Sequence, residues 1–471
     1  MLSSRVRPRA TTLLGGAALG VYLLVVAGAT AALSDAARAC PGWPVCEASL
    51  ARPAVLVALG HRVTALVVGL AVIGAAVAVL RGDTSRRVRA ATGLAAVLFP
   101  GQILLGGVVA TSGAAPPLPG LHLTLGLAIF GSLVLALAWQ LEAETAPRPA
   151  ADPAPASPSP PPAATDTEDA GAVAAPLSAQ PLGVRVRARA FAYFRLMKPR
   201  LMWLLSLVAA AAMALAAGPA LTLRTILLTL GGGVLAIGAS GTFNHVLERD
   251  RDKRMQRTAD RPVATHEVPV RRATAFGVVL AAASLAVFLQ LNALAAGLGL
   301  VAILFYSVVY TIILKPNTVQ NTVIGGAAGA LPALIGWAAV RGDIALPGLA
   351  LAGVIFVWTP AHFYNLALAY KDDYARGGFP MMPVVRGEST TRKHVLLWLG
   401  ATLGTAGALL WLTDLGWLSA AATVSLGGVF LWTVVRLHRE RTEQAAFRAF
   451  HASNAYLGVV LVAAVVDALV V

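Results

Sequence analysis

Charge is what this sequence has least of. Asp, Glu, Lys and Arg together make up 13% of its 471 residues, against 57% hydrophobic, where a soluble chain carries about a quarter charged. With a mean hydropathy of +0.73, the shortage excludes an ordinary soluble enzyme and defines a polytopic membrane protein. A basic domain studded with aromatics is also missing, so the net charge of +15 gives no ground for a nucleic-acid partner. The arginines gather instead in short loops, as expected of loops held in the cytoplasm. Cysteine is nearly absent. Cys40 and Cys46 lie together in ACPGWPVCE, too few ligands for a structural zinc site. They form either a small disulfide loop on the oxidising side of the membrane or two free thiols.

Apolar runs of about 20 residues, each enough to span a bilayer, are abundant. The first, 11–33, is too long for a signal-peptide core and is read as a retained helix. With 54–80, 91–111 and 120–140 it makes a four-helix bundle over residues 1–140. Residues 141–186, rich in Pro, Ala and acids without apolar periodicity, read as a disordered linker. A second domain over 187–471 carries further runs at 200–217, 223–246, 272–288, 292–314, 320–340, 346–369, 394–412, 416–435 and 449–470. The expected fold is an all-α polytopic membrane protein of four plus nine helices in the cell membrane. Placing arginine-rich loops inside puts the N-terminus in the cytoplasm, and the cysteines and C-terminus outside.

The second domain is organised around NHVLERDRDKRMQRTADRP, Asn244 to Pro262. Asn244, Glu248 and Asp252 are spaced i, i+4, i+8 and share one helical face at the mouth of a membrane helix, where a charge needs a partner. A hard cation such as Mg²⁺ suits an amide and two carboxylates and often bridges to a diphosphate. Arg257 and Arg261 can grip the same phosphates through forked donors. The bland reading is a loop whose charges anchor helix ends; the shared face argues against it. A second acidic stretch, WTPAHFYNLALAYKDDYARGGFPMMPVV, places Asp372 and Asp373 at a helix end before Gly-Gly-Phe-Pro. A second pair of acids opposite the first would let two metal ions bracket a diphosphate. Lys198, Arg200 and Lys315 are cations at helix ends in the same leaflet, as lipid anchors or as diphosphate ligands. His362 lies inside a membrane helix, where an imidazole needs a reason: it orients a bound ring or hydrogen-bonds a neighbouring helix.

The pattern N-x-x-x-(D/E)-R-D-x-D-x-x-M-x-R-T-x-x-R-P resembles the first signature of the UbiA superfamily of intramembrane prenyltransferases. The second stretch, with W-x-P-x-H-F and D-Y-x-x-x-G-x-P-M-x-P-V-V, is similar to that of its heme O synthase branch. LKPNTVQNTVIGGAAGALPALIGW resembles the family's central loop. The resemblance covers about 190–470 and implies nine helices around one site, with farnesyl diphosphate as donor and heme b as acceptor. It implies catalytic roles for Asn244, Glu248, Asp252, Arg257, Arg261 and Asp373. Asp373 and Tyr374 occupy the D-Y position, with Asp372 an added acid. Together with the reading of the residues, Mg²⁺ would be held by Asn244, Glu248, Asp252, Asp372 and Asp373, and substrate by Lys198, Arg200, Lys315, His362, Asp372 and Tyr374. The farnesyl cation left by ionisation of the diphosphate would be captured by a heme vinyl group, and water addition would give heme O.

The first 140 residues carry two histidines near one membrane face, His61 in GHR and His122 in LHL. Two histidines on facing helices of a four-helix bundle are a workable axial pair for heme iron. C-P-x-W-P-x-C, G-H-R, Gln102 in Q-I-L-L-G-G and L-H-L together resemble one half of heme A synthase. That family has a glutamate three residues before the first histidine, where this chain has Ala58. Heme binding is therefore expected here, and conversion of heme O to heme A is the open question. Three other possibilities accompany this reading: prenylation of an aromatic quinone precursor, a non-enzymatic heme relay serving cytochrome oxidase assembly, and pairing into a homo-oligomer.

Overall fold

A lipid core offers the backbone no hydrogen-bonding partners, so an apolar run that crosses it must satisfy its own N–H and C=O groups as helix. The computed structural model describes residues 7–145 and 181–470 apart from Glu47, Gly113 and Asp414. Among the described residues, thirteen helices are long and apolar enough to cross a membrane.

Four precede residue 146: α1 (Arg7–Leu33), α2 (Pro53–Arg81), α3 (Arg86–Thr111) and α4 (Leu118–Thr145). The following five are α5 (Pro199–Ala217), α6 (Leu223–Leu247), α7 (Val270–Leu289), α8 (Ala293–Leu304, continued by a π-helical stretch over Phe305–Leu314) and α9 (Asn321–Arg341). The last four are α10 (Leu346–Ala369), α11 (Glu388–Leu412), α12 (Trp417–Glu440) and α13 (Glu443–Val470). Starts are set by local chemistry. The hydroxyls of Ser85 and Thr222 and the Asn292 amide oxygen accept the first free backbone N–H groups of α3, α6 and α8.

Most of the expected linker lies outside the described residues. Its ends differ from expectation: α4 continues to Thr145, and a surface helix, Leu182–Leu196, runs into α5. The α4 extension has a reason. Glu142 at its end pairs with Lys393 of α11 at 2.6 Å, and Glu144 accepts from Thr11 and Gln140.

The first four helices do not stand apart from the rest. One apolar core runs from Leu14, Tyr22 and Leu137 to Leu399, Leu403 and Phe430. Gly400, Gly404 and Gly407 present a flat seam along α11, against which Val134 and Leu127 of α4 and Val25 of α1 lie. The two parts expected as separate domains thus share a packed face.

Around the later helices, backbones approach closely where glycine permits. A β-carbon at Gly336 would sit 2.4 Å from the Ala209 carbonyl oxygen, where α9 crosses α5. Gly336→Ala should lower stability by about 1–3 kcal/mol, read as a fall in melting temperature in detergent. Gly353→Ala, where a β-carbon meets nothing within 4 Å, should not.

Candidate active site

The site lies where α6 ends. The helix stops at Leu247 and resumes as a short turn, Arg249–Asp252, yet the i→i+4 ladder survives the break. The N–H of Glu248 donates to the Asn244 carbonyl at 2.9 Å, and that of Asp252 to the Glu248 carbonyl at 2.8 Å. Asn244, Glu248 and Asp252 therefore remain in one row, and all three are buried, 1–3% exposed.

Buried carboxylates require partners, and each member of the row has a cation. Lys198 donates to the Asn244 amide oxygen and comes within 3.4 Å of the Tyr306 hydroxyl. Lys315 pairs with Glu248 at 2.6 Å. Arg261 bonds both Asp252 oxygens at 2.8 Å and lies 3.8 Å from Glu248. Three cations thus face two carboxylates, an arrangement with positive charge to spare for an anion. Burial and the nearby Arg261 guanidinium push the Lys198 ammonium well below the usual lysine range. Burial pushes the Glu248 carboxyl up, but Lys315, Lys198 and Arg261 together hold it below the usual carboxylate range. For Asp252, burial prevails over Arg261 and the carboxyl is raised.

Lys198 reaches the row because the chain turns sharply into α5. Its own backbone is left-handed, with φ 55°, a strained state for a residue with a β-carbon. Gly241 of α6 makes room for this turn: a β-carbon there would sit 3.0 Å from the Leu196 carbonyl oxygen.

The π-helical stretch of α8 supplies residues that the motifs do not announce. Thr311 accepts from the Asn244 amide at 3.1 Å and donates to the Tyr306 carbonyl at 2.8 Å. The Tyr306 and Tyr310 rings lie 5.5 Å apart. π-Bulges recur at functional sites because the wider turn re-aims side chains; the one hint in the sequence is the cluster of Tyr, Ser and Thr within an apolar run. Beneath Lys198 and Tyr306, a groove with a volume of about 80 Å³ continues between α5, α6, α8 and α9, lined by Leu205, Gly233, Ile237 and Pro332.

The second acidic loop closes over the first without adding its carboxylates to the row. Asp373 accepts from the backbone N–H of Gln256 (2.7 Å) and of Arg257 (3.3 Å), and from Arg376 (2.8 Å). Arg257 donates to the Tyr374 hydroxyl at 3.3 Å and lies over the Tyr370 and Tyr374 rings. Asp373 and Tyr374 thus latch one loop to the other. Burial pushes the Asp373 carboxyl up, but Arg376 and the two backbone N–H groups outweigh it, so the pKa lies below the usual range. A lowered folded-state pKa stabilises above the ordinary value of about 3.9 and loses that stabilisation as pH falls through the folded-state value. Asp373→Ala should therefore melt earlier than wild type at pH 7, and the gap should close below about pH 4.

The other expected site residues lie elsewhere. Arg200 and Asp372 are exposed, so neither joins the cluster. His362 is buried between α10 and α13, its Nδ1 2.6 Å from the Ser453 hydroxyl and its ring stacked on Trp358 and Phe450. Of the five expected metal ligands only Asn244, Glu248 and Asp252 come together. Among the described residues no group of three or more His, Cys, Asp or Glu side chains is placed to hold a metal.

The N-terminal helices hold a second constellation. His61 of α2 and His122 of α4 face each other with ring centroids 6.5 Å apart and planes inclined by 62°. The Nδ1 atoms of both are buried without a hydrogen-bond partner. They line a cavity of about 570 Å³, with Gln102, Trp43 and Ala58 also in its wall. Cys40 and Cys46 form a disulfide, and Arg62, next to His61, donates to the carbonyls of Cys40, Gly42 and Pro44, fixing that loop over the cavity.

Buried oxygen ligands and interleaved cations at the head of an apolar groove, among membrane-length helices, have the chemistry that an anionic head on an apolar tail requires. The chain belongs to the UbiA prenyltransferase family, a model of which matches residues 204–457. It is 64% identical to a protein named protoheme IX farnesyltransferase from Haloarcula marismortui, over 98% of each chain. It is 63% identical to protoheme IX farnesyltransferase 1 of Natronomonas pharaonis, again over 98% of each. A protein of the same name from Saccharopolyspora erythraea matches at 44% identity, over 59% of this chain and 90% of its own. A solved structure concerned with digeranylgeranylglyceryl phosphate synthase in membranes covers 60% of this chain and 99% of its own at a TM-score of 0.51 and 14% identity; it shares the fold.

Proposed function

We propose that the chain transfers the farnesyl group of farnesyl diphosphate to a vinyl carbon of heme b; with addition of water, this yields heme O and diphosphate. The observation that carries this reading is identity above 60% over nearly the whole chain to relatives bearing the name protoheme IX farnesyltransferase. The site supplies the chemistry. Lys198, Lys315 and Arg261 exchange part of their bonding to Asn244, Glu248 and Asp252 for the phosphate oxygens. Thr311 fixes the Asn244 amide so that its oxygen faces Lys198. The apolar groove takes the start of the prenyl chain and excludes water from the allylic carbon, and the Tyr306 ring in its wall favours positive charge.

Mg²⁺ binds through hard oxygens, usually one or two carboxylates together with waters and substrate phosphates. Asn244, Glu248 and Asp252, buried in one row and answered by Lys198, Lys315 and Arg261, fit that demand. When bound, the ion neutralises the leaving diphosphate. The carboxylate of Asp373 is taken up by backbone N–H groups and Arg376, so its part is to hold the loops. His362 is assigned to the contact between α10 and α13, and Arg200 and Asp372 to the surface. The reading is tested by incubating membranes carrying the chain with heme b, farnesyl diphosphate and Mg²⁺. Heme O is expected, and chelation of Mg²⁺ should abolish it; prenylation of an aromatic quinone precursor with no heme O would overturn the reading.

For the first four helices we propose heme binding between His61 and His122. Two imidazoles are too few ligands for a bare metal ion, but they suffice for one that brings four ligands of its own in a plane. A heme would be held by these two imidazoles, whose ring centroids lie 6.5 Å apart and whose Nδ1 atoms have no hydrogen-bond partner. Ala58 lines the cavity at the position where the resembled family has a glutamate, so the assignment is heme binding alone. On this proposal the chain faces the cytoplasm with its transferase site and the outer side with its histidine cavity.

A further inference from the structure

The histidine cavity is walled on one side by a residue from outside the first four helices. Trp411, near the end of α11, lines it together with His61, His122 and Trp43. The Trp411 ring lies 3.7 Å from where a β-carbon on Gly120 would stand, two residues before His122. The approach is built in: Gly400, Gly404 and Gly407 let α4 and α1 lie close along α11, and the Lys393–Glu142 pair ties the same helices at their other end. Elsewhere in the cavity wall, a β-carbon at Gly107 would come within 3.1 Å of the Trp43 indole. Two indoles therefore share the wall of the cavity with two imidazoles, the environment a flat aromatic macrocycle prefers.

We propose that Trp411 completes the heme site of the N-terminal helices, so that a heme held by His61 and His122 packs against an aromatic side chain from the prenyltransferase helices. The proposal rests on the heme reading given above. It makes this face of α11 the missing wall of the half-bundle, a place where a second copy of the bundle would otherwise be needed. It also makes the cavity distinct from the transferase site. α11 begins at Glu388, beside the acidic loops, and ends beside the cavity; 25 helical residues at about 1.5 Å each separate the two by roughly 35 Å.

The test titrates the purified full chain with heme b and follows the low-spin, bis-imidazole absorption that is lost when His61 and His122 are both changed to Ala. Trp411→Ala should weaken this histidine-dependent binding about tenfold, equal to about 1.4 kcal/mol, and recover its full amplitude at saturating heme. Trp411→Phe, which keeps a ring, should stay within about threefold of wild type, and Trp417→Ala, at an indole 75% exposed on α12, should bind as wild type. An unchanged affinity in Trp411→Ala, with the band intact, would overturn this proposal and leave the heme reading standing. Absence of the histidine-dependent band in wild type would overturn both.

Discussion

Asp252→Asn and Glu248→Gln should each lower heme O formation by at least about a hundredfold, the scale of removing one preorganised electrostatic partner from an active site. The two substitutions differ in what they leave behind. Arg261 bonds both Asp252 oxygens at 2.8 Å, and Asn keeps one acceptor for it, so Asp252→Asn should fold. Gln at 248 likewise keeps an acceptor for Lys315, but it removes the one carboxylate that faces two cations, Lys315 at 2.6 Å and Arg261 at 3.8 Å, and losing the charge of so buried a group costs about 3 kcal/mol or more. A lower melting temperature should accompany that loss of activity. Asp372→Asn, at an exposed carboxylate outside the cluster, should retain activity within about twofold. Product assays on the three variants, normalised to folded protein, check this. Comparable losses in all three would mean that the two acidic loops act as one ligand set, against the surface position given to Asp372.

His61→Ala or His122→Ala should remove the low-spin heme spectrum of the full chain while leaving prenyl transfer in place. The magnitude is a loss of the band, because iron with one axial imidazole changes spin state. Optical spectra of heme-loaded wild type and variants, recorded beside a heme O assay, provide the check. Loss of transfer in both histidine variants would instead tie the N-terminal cavity to the acceptor site of the reaction.

Much of this architecture is legible in the sequence. Apolar length alone predicted most span boundaries within a few residues, because a lipid environment removes every alternative to a helix. The largest shifts are at the starts of α3, α11 and α13 and at the ends of α4 and α12, where arginines, acids or histidines fall outside an apolar count. The row Asn244–Glu248–Asp252 was readable because i, i+4 spacing survives even a break in the helix, as the backbone bonds at 248 and 252 show. Thr311 and Tyr306 were not: their approach depends on the π-helical stretch, which no residue pattern specifies. Asp372 and Asp373 look alike in sequence, and only the fold separates an exposed carboxylate from one that binds two backbone N–H groups. The shared core between α1, α4 and α11 was missed because glycines 400, 404 and 407 read as ordinary residues of an apolar run until the partner helices are in place. Trp411 was missed for the same reason.

The central claim is the pairing of a farnesyl donor with a heme acceptor at the Asn244 site. One tube would contain the purified full chain, Mg²⁺, isotopically labelled farnesyl diphosphate, heme b and an aromatic quinone precursor in equal amounts, with mass analysis of every labelled product. The account predicts label in a hydroxyethylfarnesyl heme and none in the aromatic, with both absent for Asp252→Asn. Label in the aromatic alone would contradict it.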